Sequence, residues 1–142
     1  MTHIQALYGS QYTEIAQRGK DGNAGRLNGN LFLSVFLVLA MLTVVSYLHY
    51  FTSILTFLHG SFLTDMLEYL SGKTMGKILA IPILGITYLI VSNTIGSKNN
   101  FAKHVEQFLL LPEHEQKQAN KKILIPFFVV LVLYIVVIAS AF

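Results

Sequence analysis

Cysteine is absent from this 142-residue sequence. That removes disulfides, thiolate nucleophiles and cysteine-based metal sites together, and leaves the redox compartment unread. Charge is nearly as scarce: Asp, Glu, Lys and Arg make up 12% of the residues, about half the ~25% usual in soluble domains. Three stretches contain none of the four: Leu31 to Leu58, Ile78 to Ser97 and Ile123 to Phe142. A helix of a soluble protein keeps a polar face toward water. These runs are apolar on every side, so a water-soluble domain is excluded. The net charge of +3 does not point to nucleic acid, because the basic residues flank the apolar runs and form no patch interleaved with aromatics.

What is present fits a bilayer. The runs meet the ~20 apolar residues that a hydrocarbon core of about 30 Å requires. The sequence therefore predicts an all-α integral membrane protein with three transmembrane helices, at about 31–58, 76–97 and 123–142, plus short amphipathic or interfacial helices. The first run would make roughly 42 Å of helix at 1.5 Å per residue, so it must tilt, extend past the interface or break. About 30 mostly polar residues precede it, too many for a signal peptide. It reads as an uncleaved signal anchor.

Residues 1–30 are expected to form a cytoplasmic arm. Ile4, Leu7, Tyr8, Tyr12 and Ile15 recur at roughly helical spacing, giving an amphipathic helix that Gly9 weakens. It would lie on the membrane surface, dock on a partner, or pack on the protein's own cytoplasmic loop. Gly19, Gly22, Gly25 and Gly29, with Asn23, Asn28 and Asn30, favour turns and predict a flexible tether. Neither dinucleotide nor phosphate-loop spacing is met. Asn28 or Asn30 would cap the first span.

The loop at 59–75 has a capping signal at Thr64 and an acidic first turn, which predicts a short interfacial helix. In the second span Pro82 removes a backbone donor and Gly85 has no side chain, predicting a kink there, with Thr87 placed to satisfy the freed carbonyl. In the loop at 98–122, Phe101, Val105, Phe108 and Leu109 give a helix with one apolar side. Pro112 ends it and opens another, which can continue into the third span with a bend at Pro126.

Lysine and arginine are retained on the cytoplasmic side. With the N-terminus inside, eight basic residues are cytoplasmic and Lys73 and Lys77 are not; the C-terminus then lies outside. The expected location is a bacterial inner (cytoplasmic) membrane.

One pattern stands out within the spans. At 100° per residue, Ser46, His49, Ser53, Thr56 and Gly60 fall within about 80° of one another. Such a stripe suits close helix packing through small residues and hydroxyls; a water-lined pore is the alternative. His49, His59, Asp65 and Glu68 follow no metal-ligand spacing, and neighbours in the Glu113–His114–Glu115 triplet point different ways on a helix. No catalytic residue, metal or cofactor is expected. With no Asp, Glu, Lys or Arg at mid-membrane, where relays and ion paths usually carry one, the expectation is a non-catalytic accessory or structural subunit. It would pack within a larger membrane complex or self-assemble, its partners being the lipid bilayer, other membrane subunits or copies of itself. A homo-oligomeric pore lined by the stripe and an interfacial membrane enzyme are the alternatives.

Overall fold

A computed structural model describes residues 1–54 and 73–141, the side chains of residues 49, 52–54, 73–77, 79 and 141 excepted. The regular elements among the described residues are all helices, with no strand among them. Helix α1 spans His3–Gln17, a single 3₁₀ turn Gly22–Ala24, α2 Gly25–Ile54, α3 Lys73–Asn93, α4 Lys98–Leu109, α5 Glu113–Lys117 and α6 Ala119–Ala141. The stretches Gly22–Leu48 and Glu113–Ser140 are each long and apolar enough to cross a membrane. A third, Ala80–Asn93, qualifies only together with Lys98–Leu109, from which it is bent by 70°. The described part of the chain is thus a helical assembly with two, or up to three, helices able to span a bilayer. The interfacial helix expected near Thr64 lies outside the described residues.

Local chemistry sets the ends of these helices. Thr2 and Gln5 form a reciprocal cap on α1: the Gln5 backbone N–H donates to Thr2 Oγ1 (3.2 Å) and the Thr2 N–H to Gln5 Oε1 (3.0 Å). Gly19, at φ +73°, ends it in the left-handed conformation that side chains disfavour. Ser97 caps α4, accepting from the Asn100 N–H at 3.4 Å, and Pro112 opens α5 as the spacing predicts.

Two expectations fail at the start of the first span. The glycine-rich run is no loose tether beyond its first residues, since residues 25–30 are already helical. Asn30 caps nothing: it lies inside α2, fully buried. The reason is packing. Three glycines, on the 3₁₀ turn and α2, leave no room between these elements and α1. A Cβ on Gly22 would meet the Tyr12 ring at 2.5 Å, one on Gly25 the Gln11 backbone at 2.8 Å, and one on Gly29 the Tyr8 ring at 2.6 Å. Farther along, His3 stacks on Phe36 with ring centroids 5.8 Å apart. Residue numbers fall on α1 as they rise on α2, so the two helices run antiparallel in close contact. Gly9, expected only as a weak point of α1, is where the Phe108 ring of α4 seats, 2.0 Å from a notional Cβ.

Five helices meet here. Ala6 and Leu7 of α1, Leu33 of α2, Val91 of α3, Phe108 of α4, and Ala119 and Ile123 of α6 form one buried cluster. Beyond it α2 keeps α3 and α6 as neighbours, with Phe127 of α6 against Phe32 and Phe36 (centroids 5.3 and 6.4 Å). The outward faces there are apolar and open, including Val44, Ile81, Ile86, Val132 and Ile135. That is the surface a helix shows to lipid.

α3 continues as helix through Pro82. A proline at 82 frees the carbonyl of residue 78, whereas the Thr87 hydroxyl donates to Ile83 O (2.7 Å). Thr87 therefore back-bonds its own turn and does not satisfy the carbonyl released by Pro82.

Candidate functional site

The most organised polar arrangement among the described residues is at the α1 end of the bundle. The Tyr8 hydroxyl donates to Asn30 Oδ1 at 2.8 Å, and Asn30 Nδ2 donates to Gly96 O at 3.3 Å. Three segments are joined by one amide: α1, α2, and the bend between α3 and α4. Gly96 must be glycine for this to happen, because a Cβ would sit 1.8 Å from Asn30 Oδ1. One turn on, the Ser34 hydroxyl donates to Asn30 O at 2.7 Å. Burial on this scale is tolerable only because each polar group is bonded.

Aromatic rings enclose the phenol. Phe101 meets the Tyr8 ring edge-on at 5.4 Å, and His104 stacks on it at 6.1 Å. Burial, partly offset by the Arg26 charge, pushes the Tyr8 hydroxyl up to about 12, so it stays a neutral donor at ordinary pH. Burial, helped by the Lys103 charge, pulls His104 below the usual imidazole value, favouring the neutral ring in the stack. His104 Nδ1 and His3 Nε2 are buried with no hydrogen-bond partner in the protein.

The stripe anticipated on the first span falls only partly within view. Ser46, His49 and Ser53 belong to α2; Ser46 is half-buried, and the side chains of His49 and Ser53 are not among those described. Thr56 and Gly60 lie outside the described residues. The polar residue that α2 does bury on this stretch is Thr43, whose hydroxyl donates to Leu39 O at 2.8 Å. Pro82 and Gly85 both lie within α3, and Gly85 has nothing within 4 Å of a notional Cβ. No three His, Asp or Glu side chains converge as metal ligands would, among the described residues.

Reasoning from the sequence missed Tyr8, Asn30 and Gly96 as a unit. One signal was available. Gly25 and Gly29, four apart at the head of an apolar run, have the spacing by which membrane helices approach closely. The arrangement holds helices together. Comparison with family models, curated proteins and solved structures found no match to this chain.

Proposed function

We propose that this is a non-catalytic membrane subunit, N-terminus in the cytoplasm, that packs through its first span against another membrane protein or another copy of itself. One observation carries the reading. Although α2 has α3 and α6 as neighbours, it keeps Leu37, Met41, Val44, Leu48 and Phe51 open, each 40% exposed or more. Their spacing is four, three, four, three, the repeat of a left-handed helix–helix seam. The internal polar chemistry supports the same reading: the buried polar residues Asn30, Ser34 and Thr43 all bond within the chain.

The absence of cysteine makes the test direct. Met41→Cys and Leu48→Cys, placed singly in the full chain in native membranes, should give disulfide-linked dimers or adducts to a distinct membrane protein. Val132→Cys, on the open face of α6, should not. Native mass spectrometry from mild detergent should show the same assembly. A bare monomer at every concentration, with no cross-link at Met41 or Leu48, means that lipid alone covers the seam and the reading is wrong.

A further inference from the structure

Near the membrane-entry end of α6 lies an open cleft of about 490 Å³ lined by Met1, His114, Glu115, Gln118, Lys121 and Lys122. We propose that it holds the phosphate of an anionic phospholipid headgroup. Height, charge and donor geometry converge on this occupant.

Height comes first. The charge-free part of α6 begins at Ile123, so Lys121 and Lys122 stand at the border where hydrocarbon gives way to headgroups, and the cleft opens at that level. Charge comes next. Lys117, one turn earlier, is matched by Glu113 at 2.7 Å, whereas neither Lys121 nor Lys122 has an acidic partner among the described residues. Against these two cations the cleft sets one carboxylate, Glu115. The balance is positive, which favours a lipid of net negative charge over a zwitterion; basic pockets at this level bind such headgroups.

The geometry supplies donors. α5 and α6 together form the membrane-length stretch Glu113–Ser140. At 100° per residue, His114, Gln118, Lys121 and Lys122 fall within roughly 100° of arc, with the Glu113–Lys117 pair to one side of it. Lys122 Nζ donates to Met1 O, fixing the α1 end as one wall and leaving two of its three N–H donors for a phosphate. Lysine stems can lie along apolar surface while their heads reach a headgroup oxygen.

The full chain, solubilised with a mixture of dioleoyl-phosphatidylglycerol and dioleoyl-phosphatidylcholine, is examined by native mass spectrometry for retained lipid. Phosphatidylglycerol should be retained in preference. Lys121→Gln should reduce that retention by roughly fivefold, from about 1 kcal/mol per near-surface lysine. Glu115→Gln should raise it, and Lys117→Gln, whose lysine is already paired, should leave it unchanged. The opposed signs for Lys121 and Glu115 separate a lost headgroup contact from a damaged fold. Equal retention of the two lipids overturns the proposal, as does a loss for Lys117→Gln matching that for Lys121→Gln. Displacement of the lipid by added inorganic phosphate would identify the ligand as a soluble phosphate compound and overturn the lipid assignment. The outcome is independent of whether α2 pairs with a partner.

Discussion

On Gly96, at the bend between α3 and α4, a notional Cβ lies 1.8 Å from Asn30 Oδ1; on Gly85, midway along α3, nothing lies within 4 Å. The same residue type thus sits in two kinds of surroundings. At the α1 end, backbone presses on side chain, and Tyr8, Asn30 and Ser34 are hydrogen-bonded. Along the remaining spans, apolar faces stand open and small changes have room. The difference teaches where this fold keeps its specificity. Lipid is as apolar as the side chains it touches, so burial alone gives spanning helices little reason to choose one another. Close contact and hydrogen bonds must supply the choice, and among the described residues both are concentrated at one end.

The comparison breaks most visibly at Gly96. Gly96→Val should cost about 3 kcal/mol, the upper part of the overpacking range, and cut the yield of folded protein, read by thermal unfolding in mild detergent. A wild-type melting curve for that variant would mean that the bend can open without loss.

A smaller effect is expected from Tyr8→Phe. It leaves Asn30 Oδ1 buried without its donor, a cost of about 1–3 kcal/mol, seen as a lower melting temperature. The phenol also gives the contrast a pH signature. An unfolded tyrosine loses its proton near 10, but the buried one only at about 12. Below 10 both states are protonated and Tyr8 contributes in full. Between 10 and 12 the unfolded chain holds fewer protons than the folded one, so stability falls as pH rises. Melting temperatures recorded across that window should drop less steeply for Tyr8→Phe than for the natural chain. Equal slopes would mean that the hydroxyl is not sequestered.

The smallest effect belongs to Gly85→Ala. With open space around it and better helix propensity, alanine should be neutral or raise stability by up to about 1 kcal/mol. A loss comparable to that at Gly96 would erase the distinction between the two regions.

Much of the architecture was legible because absence of charge is a strong signal: the three uncharged runs correspond to α2, α3 and α6 within the described residues. The ends of the loop helices were legible too, where Pro112 carries a definite backbone constraint. What the chain concealed is how its first helix is used. Ile4, Leu7 and Tyr8 leave open whether that helix lies on the membrane, docks on a partner or packs on the chain's own loop at 98–122. The structure has Leu7 and Tyr8 buried among α2, α4 and α6, the loop helix among them. The surface they press against is made partly of glycines, which carry no hydrophobic signal. Asn28 and Asn30 likewise read as helix-start residues, because local preference cannot register a buried partner on another element. Nor does the position of Thr87 reveal which carbonyl its hydroxyl will choose.

The seat of α1 has a consequence for biosynthesis. Its walls come from α2, α4 and α6, so α1 cannot reach its final place until α6, far later in the sequence, has emerged. A chain stalled before Ala119 leaves α1 without the Ala119–Ile123 wall, so Leu7 loses its cover on that side.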